Sequence, residues 1–207
     1  MRDVAEAVPS DAAMPLLVPG VDFERVAFII RGVLPREECT RLVALAEQQG
    51  FESDEHYFVP QDGLTTQLCC RALVESQRIS EDLYARVHRH LPRRLGAQTV
   101  CGLSENLRFL RYDAGQAFAP HVDGPTVKAD IGIASQLSFI LYMTGAGEDY
   151  GGGLTRFVDE AAPKHGVDVV AKAGDVLIFS HSLMHEGTAV THGRKYVLRT
   201  DVMYCPS

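Results

Sequence analysis

The sequence predicts a mainly β fold with flanking helices, and three observations carry that reading. Short β-rich runs separated by glycine follow one another from about residue 104 onward. Helical patterns are confined to the first half of the chain. Consecutive short strands need a second sheet or a closed barrel to bury their apolar faces, so the expected core is a sandwich or barrel with helices against one side. At 207 residues the chain is expected to form one domain spanning 1–207, with 1–103 as lead-in and helical support and 104–205 as the core.

Taken in order, residues 1–20 read as an irregular lead-in, broken by Pro9, Pro15, Pro19 and Gly20. The apolar run "VAFIIRGVL" is a candidate strand. "LPREECTRLVALAEQQG" has helix grammar: Pro35 near the first turn, Glu37 and Glu38 at the positive helix end, and Gly50 as a stop. Within it Leu42, Val43, Leu45 and Ala46 recur at helical spacing. A second helix is expected from Ser80 as N-cap through "EDLYARVHRHL" until Pro92. Strands follow in "LRFLRY", "SQLSFILYM", "LTRFV", "VDVVAKAGDVLIFS" and "KYVLRTDVMY". Two long stretches, "ESDEHYFVPQDGLTTQ" and "GPTVKADIGIA", are expected to be loops of the lid or binding kind.

Composition narrows the function classes. Hydrophobic residues make up 46% and charged residues 23%, an ordinary folded composition. A net charge of −7 with no basic stripe argues against nucleic acid as a partner. No run reaches the roughly 20 apolar residues of a membrane helix, so no membrane partner is expected. "MRDVAEAVPSDAAMP" lacks the apolar segment of a signal peptide, so a cytoplasmic location is expected. Cysteines 39, 69, 70, 101 and 205 are odd in number and show no metal or redox spacing; buried free thiols are the expectation.

The stretch "PHVDG" carries the chemistry. In a strand, His121 and Asp123 point to one face because the side-chain period is two, so both can reach one metal ion. A third ligand is available in His185 of "HSLMHEGTAV". Two histidines and a carboxylate form the facial set of non-haem Fe(II) oxygenases, which leaves coordination positions open. His181 stands four before His185, but the β context and the missing glutamate argue against a helical zinc pair. His56, His88, His90, His165 and His192 have no spacing that joins them to this set, and Glu186 should point away from the metal.

Beyond the triad, "RYDAGQAFAPHVDG" and "HEGTAVTHGRKYVL" closely resemble the catalytic domain of prolyl 4-hydroxylase-like 2-oxoglutarate/Fe(II) dioxygenases, and "GGGLTRF" matches their Gly-Gly-x-Thr strand entry. The resemblance covers about residues 104–204 and is loose before that. It implies a double-stranded β-helix (jelly roll) buttressed by the N-terminal helices. It also implies Fe(II), 2-oxoglutarate and O2 as cofactors, with ascorbate in support. Iron would be held by His121, Asp123 and His185, and the far carboxylate of 2-oxoglutarate by Lys195 and Tyr112, with Tyr142 as a further hydroxyl donor. The implied reaction is hydroxylation of a C–H bond in a peptidyl prolyl, amino-acid or small-metabolite substrate; the oligomeric state is not legible. Two alternatives stay open: demethylation or desaturation at the same site, and a non-catalytic jelly-roll that senses or binds a metal. Arg199 departs from the resemblance, since the family more often has a small or neutral residue there. On a regular strand it shares a face with Lys195 and needs an anion: Asp201, the substrate's carboxylate, or the iron-bound end of 2-oxoglutarate, with Arg108 as a second cation.

Overall fold

In the computed structural model the described residues are 13–16, 18, 25–53, 69–159 and 166–206. The elements that position the site are β1 (Ala27–Ile30), α1 (Arg36–Gln49), β2 (Cys70–Glu75), α2 (Gln77–Val87), β3 (Gln98–Leu103), β4 (Asn106–Tyr112) and β5 (Phe118–His121). They continue with β6 (Ile133–Tyr142), β7 (Thr155–Phe157), β8 (Val167–Val169), β9 (Val176–Ser180), β10 (His185–Gly187) and β11 (Lys195–Pro206). The large antiparallel sheet runs β1-β9-β6-β11-β4-β2, and β3 pairs with the C-terminal half of β11. A smaller sheet runs β8-β7-β10-β5.

Strands of the large sheet are apolar on both faces, because both faces are covered. Phe139 and Leu141 of β6, Ile178 of β9 and Leu198 of β11 join Ala46 of α1 and Leu83 of α2 in one core cluster. Their alternating neighbours Ile140, Tyr142, Phe179 and Val197 join Phe157 and Val169 of the small sheet in a second cluster. The result is two facing sheets with helices on the outer side, the mainly β, jelly-roll arrangement expected from the sequence.

Local signals explain the helix ends and the departures from expectation. Pro35 stands at the N-cap of α1, and Gly50, at φ 87°, ends it. The N-cap of α2 is Ser76, whose hydroxyl accepts from the Ile79 amide, and not Ser80. Ser80 lies one turn inside, buried, its hydroxyl donating to the Gln77 carbonyl; the stripe Ile79, Leu83 and Val87 draws the helix start back. The first half also supplies strands: Ala13–Pro15 pairs with β1, while β1, β2 and β3 all belong to the large sheet. Residues 124–134 form a small hairpin, with Val127–Lys128 paired to the start of β6 and Gly132 closing the turn at φ 67°. Of the stretch 52–67 expected to be a long loop, Glu52–Ser53 forms a short strand paired with β2 and the rest falls outside the described residues, as do His56 and His165. Not every cysteine is buried: Cys39 and Cys69 are, whereas Cys101 is exposed.

Candidate active site

Strand register brings the three predicted ligands together. His121 ends β5 and is the cross-strand partner of His185 in β10, which closes the 64-residue gap between them. Asp123 lies just past the end of β5, where its amide donates to the His181 carbonyl at 2.9 Å. The three ligand atoms all lie within 4.8 Å of one another. Each imidazole Nδ1–H donates to a carbonyl two residues back, His121 to Ala119 (2.8 Å) and His185 to Leu183 (2.9 Å). That fixes the tautomer and leaves both Nε2 lone pairs facing Asp123, at 3.7 and 3.8 Å from its oxygens. Burial lowers the pKa of both rings, His185 to about 4, so they stay neutral, the form that ligates metal. Ring packing holds them: Phe118 lies 4.3 Å from His121 and Phe179 4.6 Å from His185, centroid to centroid.

Asp123 is ionised against its burial. Burial pushes its carboxyl up, but Arg199, then His185 and the Ser138 hydroxyl, bring it down to about 2. Arg199 Nη2 sits 2.9 Å from Asp123 Oδ1, and Ser138 donates to Oδ2. Behind Ser138 the donors run in one direction. The His181 Nδ1–H donates to Ser138, the Ser135 hydroxyl donates to His181 Nε2, and the Thr126 amide donates to Ser135, each at 2.8 Å. This chain holds the ligand carboxylate in place. His181 is therefore a buried support of Asp123 and not a ligand: among the described residues only His121, Asp123 and His185 form a metal-competent group.

A cavity of about 410 Å³ opens over the triad. On its sheet wall Lys195 and Tyr112 are cross-strand partners. Lys195 is buried, and its ammonium donates to the Gly153 carbonyl at 2.7 Å. No carboxylate among the described residues forms an ion pair with it, and burial lowers its pKa to about 8. A buried ammonium without a carboxylate partner is costly to hold charged. The glycine run makes the carbonyl contact possible. Gly153 adopts φ 59°, and a Cβ there would lie 2.8 Å from Val190.

Tyr112 lies beside the ammonium, its ring centroid 5.2 Å away; burial first, and then the Cys69 thiol, hold its hydroxyl well above the usual range. Tyr142, 5.8 Å from the ammonium by ring centroid, donates its hydroxyl to Thr155 at 2.7 Å, and Thr155 in turn lines the cavity. Arg199 lines the cavity with its guanidinium on two protein carboxylates, Asp123 and Asp201 (3.4 Å). Asp201 is fully buried and is shared with Arg108 at 3.3 Å. Glu186 is at the cavity wall, 3.9 Å from Arg156. His88 and His192 are exposed. Arg71, which no local pattern singled out, reaches the cavity because β2 pairs with β4 and places Arg71 opposite Leu110.

Comparison with known proteins adds an independent line. Residues 107–200 match the sequence model of the 2OG-Fe(II) oxygenase superfamily. The chain is 38% identical over 90 residues to a PKHD-type hydroxylase of Phenylobacterium zucineum, covering 42% of this chain but 38% of that protein's length. In structure it is similar to a Pseudomonas putida prolyl-4-hydroxylase, with TM-score 0.57 and 15% identity over 87% of this chain and 92% of that one. It is also similar to a Trichoplax adhaerens prolyl hydroxylase solved with a peptide fragment of a hypoxia inducible factor. That likeness has TM-score 0.63 and 18% identity over 87% and 83% of the two chains.

Proposed function

We propose that this chain, which belongs to the 2OG-Fe(II) oxygenase superfamily and is prolyl 4-hydroxylase-like, couples the oxidative decarboxylation of 2-oxoglutarate to hydroxylation of a C–H bond in a second substrate. Superfamily membership implies Fe(II), 2-oxoglutarate and O2. The observation that carries the reading is one cavity holding a convergent His-Asp-His set and a buried lysine that has no carboxylate partner among the described residues.

In this reading His121 and His185 hold Fe(II) through their Nε2 atoms and Asp123 through its carboxylate. Bound there, the metal with O2 supplies the oxidising chemistry that the protein's own side chains lack. Lys195 receives the far carboxylate of 2-oxoglutarate as a charge-assisted hydrogen bond in a dry pocket, and the Tyr112 hydroxyl stands ready as a second donor. Tyr142 acts through Thr155, which its hydroxyl holds in place. Leu110, Phe118, Ile140 and Val197 line the same cavity and exclude water. The balance is one 2-oxoglutarate, one O2 and one substrate C–H consumed, with succinate, CO2 and an alcohol formed. Asp123 keeps the third protein ligand in place, which favours hydroxylation over chemistry that needs that position vacant. A metal-binding protein without turnover would have no use for Lys195. The second substrate is a small molecule or a peptide; the peptide bound by the Trichoplax enzyme supports the latter class.

Purified protein should form succinate only with Fe(II), O2 and 2-oxoglutarate together. Succinate formation undiminished by removal of iron would overturn the proposal.

A further inference from the structure

Strand register brings together two cysteines that sequence spacing leaves unrelated. β3 runs antiparallel to the end of β11, with Cys205 opposite Thr99, Tyr204 opposite Val100 and Met203 opposite Gly102. Cys101 falls at the shift in register between the last two rungs, as the extra residue of a β-bulge, and bulges re-aim the side chains they carry. Its thiol reaches across to β11 and donates to the Met203 carbonyl at 3.4 Å, while the Cys205 thiol reaches back to the Thr99 carbonyl at 3.6 Å. Between these contacts the two thiols hydrogen-bond each other. A disulfide needs neighbouring backbone segments with converging side chains, and this seam supplies both.

The pair is also within reach of small molecules. Cys101 is exposed and Cys205 half-buried, whereas Cys39 and Cys69 are buried. Cys101 lines a second cavity of about 660 Å³, shared with Glu81 and Tyr84 of α2 and with Glu105 and Lys128. Neither Cys101 nor Cys205 lines the cavity over the triad. Burial first, and then the Cys205 thiol, hold Cys101 at about 11, so it stays protonated near neutral pH and is no fast peroxide sensor. A thiol of high pKa is also a poor leaving group, so a disulfide formed here reopens slowly.

We propose that Cys101 and Cys205 form a redox-modification site, at which a low-molecular-weight disulfide oxidises the two thiols to a protein disulfide that staples the end of β11 to β3. The exchange runs in two steps. The Cys101 sulfur, its proton lost to solvent, attacks one sulfur of the small disulfide, and a mixed disulfide forms as one small thiolate leaves. The Cys205 sulfur, its proton lost likewise, then attacks the Cys101 sulfur, and the second small thiolate leaves as the interstrand S–S bond forms. Two protein thiols are oxidised, one small disulfide is reduced, and the two protons end on the released thiols. The bond would close a loop that holds β4 to β10 and most of β11, so in the chain-entropy account it stabilises the fold by restricting the unfolded chain.

The test incubates the full chain with oxidised glutathione, digests it without reduction and maps its disulfides by mass spectrometry. The expected product is an intramolecular Cys101–Cys205 linkage, absent from the reduced sample and reversed by dithiothreitol. Glutathione retained on Cys101 with no protein disulfide, a Cys69–Cys70 linkage in its place, a disulfide between two chains, or no reaction at all would overturn the proposal. Cys205→Ser should stop the exchange at the mixed disulfide on Cys101, and a variant that leaves Cys101 unmodified overturns its assignment as the attacking sulfur. The wild-type map stands on its own if the variant does not fold. In urea titration the oxidised wild type should unfold at a higher midpoint than the reduced form. An equal or lower midpoint overturns the stapling role.

Discussion

The two faces of β11 do different work on one backbone. Tyr196, Leu198, Val202 and Tyr204 face the helices and are all buried in the outer core cluster. Two of them reach beyond it: the Tyr196 hydroxyl donates to Glu47 of α1, and the Tyr204 hydroxyl donates to the Pro92 carbonyl at 2.9 Å. One residue out of step, Lys195, Val197 and Arg199 line the cavity, and Asp201 is buried behind it. One face consists mainly of apolar groups that gain by leaving water. The other collects buried charges: Arg199 and Asp201 offset each other, whereas Lys195 has no carboxylate partner among the described residues. The ladder to β6 and β4 on either side fixes both sets at once, so the stabilising face positions the chemical one. Substitutions on the two faces should therefore separate stability from ligand binding.

The largest separation is expected at the metal. Asp123→Ala and His185→Ala should each reduce iron-dependent turnover to background while circular dichroism stays that of the parent, because strands and not metal build the core. Loss of folded signal in both would place the triad in the fold instead. On the opposite face Leu198→Ala should lower unfolding free energy by about 2–5 kcal/mol in denaturant titration. Its remaining folded fraction should bind 2-oxoglutarate within about twofold of wild type, since mutations that share no partners act independently. A large affinity loss there would break the division between faces.

Ser138→Ala tests the support behind the ligand. Iron affinity should fall by about 10–100-fold, the usual effect of removing a group that orients a ligand. Unchanged affinity would show that Arg199 alone holds Asp123.

The smallest effect is on protons. Burial holds Lys195 at about 8, below its ordinary 10.5. The unfolded chain therefore binds the extra proton between those values, so the cosubstrate-free fold gains stability as pH rises from about 8 to 10.5. Binding the dianion favours the ammonium, so 2-oxoglutarate affinity should fall as pH rises above 8, with uptake of less than one proton. Calorimetry in buffers of different ionisation enthalpy reads that number, and no uptake near pH 9 would contradict it.

How much of this was legible depended on the range of the interaction. The triad, Lys195 and Tyr112 were readable because each sits in a short motif whose spacing carries the resemblance, and the period of two set Lys195 and Arg199 on one face. The jelly roll was readable from strand grammar and glycine turns together with that resemblance. Arg71 was not, because its place on the wall depends on the pairing of β2 with β4, and nothing in "CRALVE" announces that register. The same holds for Ser135, Ser138 and His181, which meet only when β6 packs beside the segment following β9. The vicinal cysteines resolve in the same way. Cys69 turns toward Tyr112, whereas Cys70 accepts a weak contact from Arg111 at 3.8 Å, so adjacency in sequence became opposition in the fold.

The central claim is that Lys195 is the cosubstrate's anion receptor and the triad is the metal's, two sites on one cavity. It is tested most directly by anaerobic calorimetric titration of 2-oxoglutarate into the Fe(II)-loaded wild type and Lys195→Ala. Removing one partner of a buried charge pair costs about 3–5 kcal/mol, so 2-oxoglutarate affinity should fall several hundred-fold while iron affinity stays within about twofold. An equal loss of iron affinity, or unaltered 2-oxoglutarate binding, would contradict the account.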